Sequence, residues 1–391
     1  MGTRKGIERL IALAAVVGVL AACSSQGNAI GGGASVDGSA PDASASGGSP
    51  SDGGAPSDGW FPEAFSSQND APSDARGLLG DDTSGETGAI ASGESTCPGG
   101  IVDASEVGVF TLASKLDGPG GIAVDSNAVY WINEYDGTVM SVSLDGGTTT
   151  TLASGQDAPN SVALYAGQIY WTSGSGGTVS SVPVTGGMAA LLASLQAQPA
   201  GIAASAAGVY WVDYDGDSVM SVPLDGGAPA TVATAQGQPA AIALDATNVY
   251  WVDKGSGAVM AAPLAGGLPT TLAKGQGNPN QIAVDSRSVY WTNAMDGGSI
   301  VEVPLDGGAA TILAPAATPL GIAVDSKYVY WTDFGRGAVM KVPLGGGPSV
   351  PVASGQPCPA GIAVDATNVY WTNRGAGGGA GTVNMIAKPG G

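Results

Sequence analysis

An all-β ring of seven blades, each a four-stranded antiparallel sheet, is the fold this sequence predicts. Three observations predict it. Tyr-Trp pairs recur every forty residues, at Tyr130-Trp131, Tyr170-Trp171, Tyr210-Trp211, Tyr250-Trp251, Tyr290-Trp291, Tyr330-Trp331 and Tyr370-Trp371. Prolines keep the same period in phase with them, at Pro119, Pro159, Pro199, Pro239, Pro279, Pro319 and Pro359. The last copy stops one strand short, and a matching strand stands ahead of the first. A fixed period means one supersecondary unit repeated in tandem, with neighbours burying each other's apolar faces.

The elements follow from the N-terminus. Arg4, Lys5 and Arg9 precede an apolar run from Leu10 to Ala22, which ends at Cys23. The run is short for a membrane span and suits the apolar stretch of a secretory signal, residues 1–22. Leu20-Ala21-Ala22-Cys23 resembles the lipobox of bacterial lipoproteins. That resemblance implies cleavage before Cys23, acylation of that cysteine and attachment to a lipid bilayer, which more than one acyl chain makes stable. The implied location is the bacterial cell envelope, on the extracytoplasmic side.

Residues 23–96 are rich in Gly, Ser, Pro and Asp, and carry eleven acids against one base, Arg76. That is the composition of a disordered, self-repelling tether with a span on the order of 50 Å. Its apolar island is Trp60-Phe61-Pro62 with Phe65. Without residues 1–22 the chain keeps 10 Lys and Arg against 32 Asp and Glu. So acidic a surface repels nucleic acid, which is not expected as a partner.

Residues 97–391 hold the repeats. In the clearest copy, Gly321–Asp325, Val329–Asp333, Ala338–Leu344 and Val350–Ser354 are apolar or β-branched runs separated by Gly, Asp and Lys or Pro. They read as four short strands. Asp-Gly-Gly at 145–147, 225–227 and 306–308 supplies positive-φ residues for the turn between third and fourth strands. Four strands per forty residues is the arithmetic of a β-propeller blade. Thr382–Ile386 ends the seventh copy without a fourth strand, while Phe110–Ser114 matches Thr150–Ser154 at an offset of forty. Pairing the two segments closes the ring and removes two exposed sheet edges.

Tyr330-Trp-Thr-Asp333 and its variants Tyr210-Trp-Val-Asp213, Tyr250-Trp-Val-Asp253, Tyr290-Trp-Thr-Asn293 and Tyr370-Trp-Thr-Asn373 resemble the repeats of propellers of the low-density-lipoprotein-receptor class B type. The resemblance covers roughly residues 107–391. It implies a propeller, although that family is typically six-bladed and this chain has seven copies. Similar bacterial propellers include lactonases and a lyase.

Histidine is absent from the chain. Ser-His-Asp and Cys-His arrangements and His-ligated metals are thereby excluded. The same absence argues against the streptogramin-type seven-bladed lyases, whose chemistry, as the resemblance implies, uses histidine. No catalytic residue is assigned. The densest carboxylate group, Asp213, Asp215 and Asp217, has alternating oxygens on a tight turn and is the candidate Ca²⁺ site; a solvated hairpin tip is the competing reading. No other cofactor is expected. Asp125, Asp245, Asp285, Asp325 and Asp365 end the first strands, either as an acidic collar or as turn caps, and caps are favoured. Met140, Met220, Met260 and Met340 read as packing.

Positions that vary between copies are where recognition can reside. The loops between second and third strands offer Glu134, Tyr135, Tyr214, Lys254, Met295, Phe334, Arg336 and Arg374. The loops entering each first strand add residues such as Gln156, Asn160, Gln196, Gln238, Asn278 and Asn280. Both sets emerge on one face, because strand direction alternates within a blade. Cys97 and Cys358 suit a disulfide at the closure point, provided the segment after Cys97 crosses the blade edge. The expected function is a membrane-anchored binding scaffold, with a monomeric head recognising an envelope protein or glycan. The alternative is a carboxylate- and Ca²⁺-dependent hydrolase or lactonase-like enzyme.

Overall fold

The computed structural model describes residues 108–295, 297–375 and 379–388. They form seven four-stranded antiparallel sheets, each ordered from an inner strand to a rim strand. Blade one consists of Pro119–Val124, Ala128–Asn133, Thr138–Ser143 and Thr150–Ala153. Five more blades repeat this pattern. Blade seven takes Pro359–Val364, Asn368–Asn373 and Gly381–Ala387 from the C-terminal end and Val109–Leu116 from the N-terminal end. The expected closure is present: Phe110 pairs with Met385 and Ser114 with Thr382, through a ladder broken by two register shifts. The single helical element among the described residues is the 3-10 turn Phe334–Arg336.

The Tyr-Trp pairs are the core, and they join blades. The tryptophans of all seven pairs are fully buried. Adjacent side chains on a strand point to opposite faces, so each pair serves two interfaces. Tyr130 packs in one cluster with Trp171, Tyr170 with Trp211, Tyr250 with Trp291, Tyr290 with Trp331 and Tyr330 with Trp371. Tyr370 of blade seven meets Trp131 of blade one, so the closure is packed like any other junction.

Hydrogen bonds reinforce this packing. Where the residue after Trp is threonine, its hydroxyl donates to the next blade: Thr172 to the Ala200 carbonyl at 2.6 Å, Thr332 to that of Ala360 at 2.6 Å, and Thr372 across the closure to that of Gly120 at 2.9 Å. The inner strands approach so closely there that a Cβ on Gly361 would run into the Gly120 carbonyl.

The first-strand aspartates are turn caps. One oxygen of Asp365 accepts from the amides of Thr367 and Asn368 at 2.6 and 2.7 Å, and the other accepts from the Tyr370 hydroxyl at 2.8 Å. Asp125, Asp245, Asp285 and Asp325 do the same for Tyr130, Tyr250, Tyr290 and Tyr330. Burial and the adjacent Asp365 carboxylate push the Tyr370 hydroxyl well above the usual phenol range. Asp325 also accepts from Lys388 at 2.6 Å, which ties the C-terminal segment to blade six.

Candidate functional site

The two sets of variable loops meet on one side of the ring, as strand alternation requires. An equivalent backbone bond in every blade joins them, from Glu134 to Gly118, Gly174 to Ala158, Tyr214 to Gln198, Lys254 to Gln238, Ala294 to Asn278, Phe334 to Thr318 and Arg374 to Cys358, all at 2.9–3.1 Å. The residue before the proline is left-handed in six of these loops, with φ near 50–66° at Gly118, Ala158, Gln198, Gln238, Asn278 and Cys358.

Beneath the loops lies a network the sequence reading missed. In five blades the tryptophan indole donates to a glutamine fifteen positions earlier: Trp171 to Gln156, Trp211 to Gln196, Trp251 to Gln236, Trp291 to Gln276 and Trp371 to Gln356, at 2.9–3.1 Å. The amide nitrogen of each glutamine donates to the carbonyl two residues back, which fixes its orientation. Gln156 and Gln196, expected as variable recognition residues, are therefore structural clamps. Their forty-residue recurrence was a signal in the sequence. Blades one and six carry Leu116 and Ala316 instead. Trp131 turns to Asn133 at 3.1 Å, and the buried Trp331 nitrogen has no hydrogen-bond partner in the structure.

The residue closing the second strand joins this network. In blades five and seven it is asparagine: Asn293 donates to Gln276 at 3.2 Å, and Asn373 to Gln356 at 2.9 Å. In blade six it is Asp333, fully buried, which accepts from the amides of Ala317 and Thr318 at 3.0 and 3.1 Å and pairs with Arg336 at 2.7 Å. In blades three and four it is Asp213 and Asp253. Burial pushes both carboxyls up to about 6, against the opposing bonds from Trp211 and the Ala197 amide, and from the Gly237 amide, Trp251 and Ser256.

The candidate recognition residues divide accordingly. Tyr135 and Met295 are more than half exposed. Tyr135 lies over Gly118, where an added Cβ would come within 2.7 Å of the ring. Glu134 and Arg374 form a 3.0 Å ion pair between blades one and seven, with both side chains partly accessible. Arg336 is accessible although it pairs with Asp333, and Phe334 is half-buried at the start of the 3-10 turn. Lys254 is half-buried, and burial holds its ammonium below the usual lysine range. Tyr214 does not belong to the accessible face: it is 6% exposed.

Asp213, Asp215 and Asp217 are not drawn together. Asp213 is buried against Trp211, while Asp217 accepts from the Gln238 amide at 3.0 Å. Among the described residues no three His, Cys, Asp or Glu side chains are grouped as metal ligands. Cys358 is buried and disulfide-bonded; Cys97 and Cys23 lie outside the described residues, as do the signal and the tether.

No protein-family model matches the chain, and no characterised protein matches it in sequence. Solved structures do. Virginiamycin B lyase from Staphylococcus aureus superposes with a TM-score of 0.61 at 15% identity, over 71% of this chain and 98% of that one. A streptogramin B lyase gives 0.61 at 14% identity over 72% and 97%. A catalytically inactive histidine-to-alanine variant of the Staphylococcus aureus enzyme, with quinupristin, gives 0.62 at 15% identity over 71% and 98%. At such identities the likeness shows the fold alone: a seven-bladed β-propeller.

Proposed function

We propose that this chain is a lipid-anchored, extracytoplasmic scaffold whose propeller binds an envelope protein or glycan through its loop face. The observation that carries this reading is a division of labour within the repeat. Residues common to most blades, namely the tryptophans, glutamines, tyrosines and capping aspartates, are engaged in holding the ring. Tyr135, Met295, Asp215 and Asp217 differ from their counterparts in other blades and remain exposed on one side. Mixed aromatic, apolar and charged groups on a rigid frame suit recognition. The composition of residues 23–96 suits a spacer below such a head, and Cys97 is the proposed partner of Cys358.

The superposed lyases supply no activity for this chain. A histidine-to-alanine change accompanies loss of catalysis in one of them, and the present sequence has no histidine.

The test compares what the intact chain retains from envelope extracts with what a Tyr135→Ser/Met295→Ser variant retains, with Lys327→Ala on the opposite side as control. Loss confined to the loop-face variant is expected. Equal retention by all three would overturn the proposal. So would Ca²⁺-dependent lactone or ester hydrolysis lost on Asp215→Asn/Asp217→Asn substitution, which would favour the hydrolase alternative.

A further inference from the structure

The position closing the second strand allows one chain to be compared with itself. In blades five and seven an asparagine amide donates to the glutamine carbonyl that also receives the tryptophan indole. In blades three and four the ladders around this position have the same register: Asp213 faces Pro199 and Ser218, Asp253 faces Pro239 and Ala258, and Asn293 faces Pro279 and Ser299. A carboxyl group thus takes the place of the amide. The glutamine cannot reverse to meet it, because Gln196 and Gln236 already donate to the Ser194 and Thr234 carbonyls, both at 2.7 Å. An ionised carboxylate there would set lone pairs against a fixed carbonyl oxygen in a buried site.

Blade six shows another way to hold an aspartate at this position. Its glutamine is replaced by Ala316, three backbone amides donate to Asp333, and Arg336 pairs with it. Asp213 and Asp253 each accept from one backbone amide, that of Ala197 or Gly237, and from their own blade's indole, but have no arginine. Neither belongs to an ion pair among the described residues, and Asp253 Oδ1 is buried without a hydrogen-bond partner.

We propose that Asp253 serves as a neutral acid in place of asparagine, donating to the carbonyl of Gln236, and that its deprotonation loosens blade four beneath the loop face. A protonated carboxyl has the donor that the asparagine amide supplies, so one proton completes the network.

The surrounding charges act in the same direction. Asp215 and Asp217 share the loop after Asp213, and the Asp217 carboxylate further opposes ionisation of Asp253. Lys254 is the nearby base in sequence, and burial disfavours its ammonium. The third-strand groups opposite, Ser218 and Ala258, are uncharged. Burial first, against the opposing hydrogen bonds, lifts the Asp253 carboxyl from 3.8 to about 6. The folded state therefore binds this proton more tightly than the unfolded chain does. Its stabilisation is complete below about pH 4 and is lost as pH rises through about 6.

The experiment is denaturant unfolding of the intact chain between pH 4.5 and 8, read alongside amide hydrogen exchange in each blade. Asp253 should raise the wild-type unfolding constant by up to about tenfold per pH unit between its unfolded and folded pKa. Exchange in blade four should quicken with pH beyond the intrinsic chemical dependence, relative to blades five and seven. Asp253→Asn should flatten the profile relative to wild type, leave pH 4.5 stability near wild type and raise stability at pH 8. Asp333→Asn, the control, should lower stability at pH 8, because it breaks a satisfied ion pair. The proposal is overturned by an Asp253→Asn variant whose profile runs parallel to wild type, or by one no more stable than wild type at pH 8.

Discussion

Blades six and seven are neighbours cut from the same repeat, and they solve one problem in opposite ways. In blade seven, Trp371, Gln356 and Asn373 form a neutral hydrogen-bonded group under the loops. In blade six the glutamine is gone, and Asp333 pairs with Arg336 and accepts from three backbone amides. The indole of Trp331 is left without a partner as a result. The difference teaches that this position tolerates either a neutral amide or a fully compensated charge, and that the two solutions are not exchangeable piece by piece.

The comparison can be broken most severely at the shared tryptophans. Trp371→Ala should destabilise the head by about 3–5 kcal/mol, because it opens a large cavity between blades; denaturant unfolding measures it. Arg336→Ala comes next, leaving the fully buried Asp333 charge with backbone donors alone. A loss of about 1–3 kcal/mol is expected, whereas Arg374→Ala in blade seven, whose ion pair with Glu134 is solvent-accessible, should cost under about 1 kcal/mol. Equal effects would contradict the asymmetry between these arginines. A double-mutant cycle sharpens the contrast. Ala316→Gln alone sets a new carbonyl beside the Asp333 side chain paired with Arg336 and should gain little, but combined with Asp333→Asn it rebuilds the network of blade seven. A favourable coupling of about 1 kcal/mol is expected, and strict additivity would refute the shared design. The smallest effect belongs to Thr372→Val, about 1 kcal/mol or less, since Ile132, Val212 and Val252 occupy the same position elsewhere.

Much of the fold was legible because large aromatics and prolines repeat without exception and because a missing strand leaves a visible gap at one end and a surplus at the other. The capping aspartates could be read from turn chemistry alone. The glutamine clamps were equally periodic, yet polar residues in loops resemble surface variation until their partner is known, and Trp Nε1 lies fifteen positions away. Tyr214 was misplaced for a related reason. Its neighbours are charged and turn-forming, which suggests exposure, but the side chain folds under the loop, where burial raises its hydroxyl above the ordinary phenol range. The roles of Asp213 and Asp333 could not be separated by residue type, because the glutamine and the arginine decide them.

Ring closure also governs when this protein can finish folding. Thr111 and Asn384, hydrogen-bonded at 2.9 Å, stand 273 positions apart. The rim strand of blade seven is thus among the first segments of the head to leave the ribosome, and it must wait for the last. Six blades can assemble in order while that sheet stays incomplete, with its edge open to pairing with another chain. The most aggregation-exposed stage of folding should therefore last until the strands of blade seven have been made.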